Sequence, residues 1–265
     1  MSSYSGPQFR YASSPGSARI TWAVQRLILL NGGIFALQLL ADPFLAWLDV
    51  SGEWSRAPGG ILNYYLGFQP VALLQGMVWK PFTYQFLHSG LLHLFLNMLW
   101  LFFCGPEVER ALGTRQFYRF YLLCGAVGVL ATFLPLLWWG DNPTVTGASG
   151  ATMGVMIAFA MVDPNRQFFL FPIPTPVNAR MLVLIVVVMN LLSGMGNSSV
   201  SVATHFGGMG VGYAYMKLMP KFRQWNRERR VAKAPKAPKP AGDESVDKVG
   251  EAVNNIFKFK DKDWR

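Results

Sequence analysis

Apolar residues in this chain gather into six long runs, and that clustering constrains the fold more than any other feature. The runs extend roughly from Ile20 to Leu45, Phe86 to Phe103, Phe117 to Leu137, Ala148 to Val162, Arg180 to Met195 and Ser201 to Met219. A chain of 265 residues could hold one or two soluble domains. Only 14% of its residues are charged and 52% are hydrophobic, whereas an ordinary globular domain carries about 25% charged residues. A helix satisfies its own backbone in lipid and crosses the hydrocarbon with about 20 apolar residues. The expected fold is all-α: a polytopic membrane protein with six transmembrane helices. A polar segment, residues 1–19, precedes a membrane domain over 20–220, and a basic tail follows over 221–265.

The placement of positive charge orients the runs. Arg10 and Arg19 precede the first; Arg110, Arg115 and Arg119 separate the second from the third; Arg166 and Arg180 separate the fourth from the fifth. The alternate short connections, Trp138–Thr146 and Gly194–Val200, contain no Lys or Arg. The positive-inside rule therefore puts both termini in the cytoplasm, with Arg56 and Lys80 of the long first loop as a mild exception. The net charge of +10 lies mostly in the tail, at Lys221, Arg223, Arg227, Arg229, Arg230, Lys233, Lys236 and Lys239. Following an apolar run, it reads as an anchor facing anionic lipid, so membrane lipids and not nucleic acid are the expected contact. The N-terminus lacks the apolar core of a cleaved signal, so the first run is expected to act as an uncleaved signal and first span. The stretch Lys233–Pro240 reads as an extended linker. Val246, Val249, Val253 and Ile256 then recur at helical spacing, compatible with a short amphipathic helix or with a disordered tail.

Polar groups at membrane depth are costly and are therefore functional candidates. Ser149 lies in Gly147-Ala148-Ser149-Gly150 at the start of the fourth run, where glycines allow tight turns and helix N–H groups lack partners. Alone, such a turn is more often a packing element. His205 shares a helix face with Gly208 and Gly212, while the fourth run carries Gly147, Gly150 and Gly154. Small faces let helices approach closely in lipid, and pairing these two would bring Ser149 near His205. His93 and Asn97 are four apart and share a face, which suits either an interhelical polar contact or a pair of oxyanion donors. His88 reads as a structural hydrogen bonder near the outer interface. Cys104 and Cys124 read as buried, inert thiols, and no Cys/His spacing suggests zinc.

Depth ties these residues together. His93 lies seven residues into the second run and His205 four into the sixth, roughly 10 Å and 6 Å at about 1.5 Å per residue. The fourth run, about 15 residues long, spans only roughly 22 Å of a core of about 30 Å. If it ends at the inner surface near Asp163-Pro164, Ser149 starts several ångströms below the outer one. No carboxylate falls at this depth, so a Ser-His dyad with a base oriented by packing or water is expected.

Together, Gly147-Ala148-Ser149-Gly150, His205 with Gly208 and Gly212, and His93-x-x-x-Asn97 resemble the rhomboid family of intramembrane serine proteases. Trp79-Lys80-Pro81-Phe82-Thr83, Phe86-Leu87-His88 and Gly105-Pro106-Glu107-Val108-Glu109-Arg110-Ala111-Leu112-Gly113 are similar to the family's region around its second span. The resemblance covers roughly Ile20 to Pro220 and implies a six-helix rhomboid-like bundle of the bacterial inner membrane. It implies Ser149 as nucleophile, His205 as general base, and an oxyanion hole from His93, Asn97 and the Ser149 N–H. Met153 stands where many members carry a tyrosine against the base, Thr204 where alanine is common, and Lys80 where arginine is common. The implied activity is cleavage of single-pass or polytopic membrane-protein substrates, with no cofactor or metal. Span five and the Gly194–Val200 loop are the expected side entrance and cap. A non-catalytic, client-binding rhomboid-like protein is the alternative; a small transporter would require inverted repeats, which the sequence does not display.

Overall fold

The computed structural model describes residues 20–48, 60–142, 144–169, 175–194, 199–233 and 248–253. The expectations for residues 1–19, the loop tip 195–198 and the linker from 234 onward lie outside them. Two compact units divide the chain, Met1–Pro220 and Lys221–Arg265. In the second unit residues 248–253 are helical, with Val249 and Val253 exposed; Val246 and Ile256 lie outside the described residues.

The first unit is built on helices. α1 (Trp22–Leu48) leads into three short helices, α2 (Ile61–Leu66), α3 (Pro70–Leu74) and α4 (Lys80–Thr83). The long helices α5 (Leu91–Leu112) and α6 (Thr114–Gly128) follow, and a 3-10 turn, Val129–Thr132, links α6 to α7 (Phe133–Trp139). α8 (Ser149–Val162) is joined to α9 (Ala179–Gly194) through a short antiparallel pair, β1 (Gln167–Phe168) with β2 (Val177–Asn178), in which Gln167 faces Asn178. α10 is Ser199–Lys233, of which the residues up to Pro220 belong to this unit. Each predicted run overlaps long helical structure: α1, α5, α6 with α7, α8, α9 and α10 in turn. By length and composition Trp22–Leu45, Leu91–Leu112 and Thr114–Trp139 can cross a bilayer, while Ser149–Val162 and Ala179–Ser193 are shorter apolar helices.

Burial runs opposite to that of a water-soluble bundle. On α1, Asn31 and Gln38 are buried while Leu29, Leu30, Leu37 and Leu40 are exposed. Lipid explains this: it solvates leucine as well as a protein core does, but offers an amide nothing to bond. Gln38 spends its amide on the backbone of His88, accepting from its N–H at 3.0 Å through Oε1.

Two helix boundaries differ from the hydropathy pattern. The second span starts at Leu91, not Phe86, because Tyr84–Phe86 form a 3-10 turn. It also continues past Phe103 to Leu112, through a segment too charged to score as apolar. That charge is structural: buried Glu109 accepts from the N–H groups of Ala23 (3.0 Å) and Val24 (3.2 Å) and from the Thr114 hydroxyl (2.7 Å). A carboxylate thus meets the unpaired N–H groups of the first turn of α1, where the helix dipole favours negative charge.

The described part of the first loop, from Gly60 onward, is pinned by side-chain donors. The last three carbonyls of α2 receive one donor each from the next motif: Lys80 Nζ donates to Tyr64 O (2.7 Å), Trp79 Nε1 to Tyr65 O (2.9 Å) and Thr83 Oγ1 to Leu66 O (2.7 Å). Burial in this role pushes the Lys80 ammonium below its ordinary pKa. Farther on, Phe68 bridges Val145 and the Tyr84 hydroxyl donates to Gly125 O at 2.9 Å. The loop is thereby fixed to the turn that precedes Ser149.

Candidate active site

The turn before Ser149 is fixed by its own backbone donors. Gly147 N–H donates to Tyr84 O (3.0 Å), and Ala148 N–H points at His88 Nε2 (3.5 Å). Gly147 has φ +114°, a left-handed value that L side chains rarely adopt. A Cβ there would also lie 2.5 Å from Cε1 and 2.6 Å from Nε2 of His93. The backbone ahead of Ser149 therefore sits directly against the edge of the His93 ring. α8 begins at Ser149, so the serine opens a helix whose first N–H groups have no intrahelical acceptor.

α8 and α10 meet backbone to backbone. A Cβ on Gly208 would collide with Gly150 O and lie 2.7 Å from its carbonyl carbon. One on Gly212 would lie 2.7 Å from Gly154 O, and one on Gly150 would be 3.1 Å from Thr204 Cγ2. Ser149 precedes Gly150 and His205 follows Thr204, so the two candidate residues flank one close helix contact. α6 joins the same seam: a Cβ on Gly207 would collide with Gly128 O, and one on Gly154 would be 2.6 Å from Cys124 Sγ. Of the glycines found in the sequence, Gly150, Gly208 and Gly212 lie at this meeting point together with Gly128, Gly154 and Gly207; Gly147 does not, because it precedes α8 in a left-handed turn and faces His93 of α5.

α5 supplies the other wall. Asn97, buried, donates through Nδ2 to His93 O at 3.0 Å, the i to i+4 contact that its spacing allows. Its Oδ1 lies 3.3 Å from Thr152 Oγ1, which also reaches Ser149 O at 3.1 Å. Ser89 Oγ bonds His93 Nδ1 at 3.0 Å. His88 is buried and packs edge-on against His93, with ring centroids 5.2 Å apart. His88, expected from the sequence as a structural hydrogen bonder near the outer interface, faces the turn before Ser149 through Ala148 N–H.

Sequence reasoning missed three contributors. Thr152 joins Asn97 to Ser149, and one turn along α8 from the serine is the spacing that could have revealed it. Tyr84 anchors Gly147. Asn190 of α9 bonds His205 through Oδ1 to Nδ1 at 2.5 Å. Asn190 interrupts an otherwise apolar run from Met181 to Leu192, the same signal that singled out His93 and His205. Among the described residues no group of three or more His, Cys, Asp or Glu could hold a metal ion.

The residues that build this site fall in a stretch shared with known proteins. The rhomboid domain family matches residues 75–222, more than half of the chain. The chain is 33% identical over 138 residues to rhomboid protease GluP of Bacillus subtilis, covering 52% of this chain and 25% of that one. It is 30% identical over 157 residues to rhomboid protein 1, mitochondrial, of Saccharomyces cerevisiae (56% and 44% covered). It is 26% identical over 153 residues to rhomboid protease GlpG of Klebsiella pneumoniae (57% and 47% covered). The chain thus spans less than half the length of each of these relatives. The extent of the family match and the apolar helices that carry it lead to one conclusion: this chain is an integral membrane protein of the rhomboid family.

Proposed function

We propose that the protein is an intramembrane serine protease that hydrolyses peptide bonds in or beside the transmembrane segments of other membrane proteins. The observation that carries the reading is the glycine contact of α8 with α10, which sets Ser149 and His205 on either side of one seam beside the His93–Asn97 wall. The names of the relatives, two of them rhomboid proteases, support the same chemistry.

Ser149 Oγ attacks the scissile carbonyl while His205 removes its proton. The tetrahedral oxyanion is met by His93, by the Asn97 amide and by the Ser149 N–H. If the Ser89 hydroxyl donates to His93 Nδ1, the His93 proton sits on Nε2, the atom that faces Gly147. His205 then protonates the leaving amine, and water admitted to the site releases the acyl group by the same base. The peptide bond of a helix is shielded, so the substrate must unwind locally, and small or helix-breaking residues near the cut are expected. Span five is the side entrance in this reading.

In this reading residues 20–220 form a six-helix membrane domain, with 1–19 and 221–265 on the cytoplasmic side. The site then opens toward the outer face of a bacterial plasma membrane. Purified protein in detergent is expected to cleave a single-span test substrate, and Ser149→Ala to reduce the product to background while accumulating normally. Undiminished cleavage by Ser149→Ala would sink the assignment.

A further inference from the structure

Orientation of His205 is the part of this site that a Ser-His pair leaves open, and here Met153 occupies the place where a packing tyrosine is common. We propose that Asn190 of α9 is a positioning residue that fixes the tautomer and ring orientation of His205, so that its Nε2 is the atom that takes the Ser149 proton. The proposal rests on the reading of Ser149 and His205 as nucleophile and base.

The argument runs from the amide outward. Between Met181 and Leu192 every residue of α9 except Asn190 is apolar. A lone amide in such a helix is costly unless both of its ends are bonded. Both are: Nδ2 donates to Val186 O at 2.9 Å, and Oδ1 meets His205 Nδ1 at 2.5 Å. The first bond settles the second. Turning the amide over would set Oδ1 against the Val186 carbonyl oxygen, two acceptors with no proton between them. Oδ1 therefore faces the ring, and an amide oxygen can only accept. His205 must then carry its proton on Nδ1, which leaves the Nε2 lone pair free. When Nε2 takes the serine proton the ring becomes cationic, and Oδ1 stays in place as its acceptor. No carboxylate is required. Because the orienting group belongs to α9, the geometry of the base depends on α9 being seated.

A purely structural Asn190, present only to satisfy its own polarity, makes different predictions. Three proteins separate the two roles: full-length wild type, Asn190→Leu of similar volume, and Asn190→Asp, which keeps an acceptor. Their kcat and KM on a single-span substrate, and the rate of Ser149 labelling by a fluorophosphonate, are compared with the thermal midpoint. Asn190→Leu should lose roughly tenfold in kcat and in labelling rate, with KM changed by less than about twofold. Asn190→Asp should recover most of that loss. Wild-type labelling by Asn190→Leu, or an equal loss in both variants, overturns the proposal. Nitrogen NMR of histidine-labelled wild type in lipid bilayers reads the tautomer without any variant, and the chain has only three histidines to assign. A proton on Nδ1 of neutral His205 is expected, and one on Nε2 contradicts the proposal. Labelling and cleavage that persist in Ser149→Ala would instead overturn the underlying protease reading, whatever Asn190 does.

Discussion

His205→Ala is expected to lower kcat on a transmembrane substrate by at least roughly a thousandfold, and Ser149→Ala/His205→Ala to be no worse than either single change. A thousandfold corresponds to about 4 kcal/mol of transition-state stabilisation. The reason for the missing additivity is that nucleophile and base form one device: a serine without its base is a poor nucleophile, and a base without the serine has no proton to take. KM should change little, because in the proposed mechanism neither side chain holds the substrate helix. Kinetics on reconstituted protein check this directly. Losses that multiply in the double variant would mean that the two residues act separately, and would contradict the proposed dyad.

Gly208→Val is expected to be the most disruptive single change outside the chemistry. Its Cβ would collide with the Gly150 carbonyl oxygen and stand 3.0 Å from Gly150 Cα. Both of these are backbone of another helix, so no side chain can turn away. Overpacking typically costs about 1 to 3 kcal/mol and more when the backbone must move. A loss of at least about 3 kcal/mol corresponds to a midpoint roughly 6 to 12 °C lower. Activity should fall with it, because forcing α10 from α8 separates the helices that bear His205 and Ser149. Gly210→Ala is the control on the same helix: a Cβ there meets nothing within 4 Å. It should be neutral or slightly stabilising, since alanine holds a helix better than glycine. Thermal unfolding of the two variants side by side tests whether contact at the seam, rather than helix propensity, is what matters.

Hydropathy made the helices legible because lipid imposes a single strong rule, and the buried amides of α1 obey it from the other side. The glycine pairing of α8 with α10 was legible because i, i+4 spacing survives in any straight helix. The short helices of the first loop were not, because four to six residues carry no readable period. Their anchorage lies in long-range bonds from Trp79, Lys80 and Thr83 to three successive carbonyls. The burial of Glu109 as a cap on α1 is not legible either, because the Ala23 N–H that it meets lies 86 residues away in the chain. Asn190 was visible as an isolated amide in an apolar run, but its partner lies on another helix, and periodicity within one helix does not identify such a partner.

The central claim is that Ser149 is a nucleophile inside this fold. Incubating the full-length protein in lipid with a fluorophosphonate, digesting it and mapping the adduct by mass spectrometry tests that claim without assuming a substrate. The account predicts one phosphonylated peptide with the mass increment on Ser149, absent from Ser149→Ala and much slower to form in His205→Ala. An unmodified Ser149 after prolonged exposure, or an adduct that survives in Ser149→Ala, would contradict it.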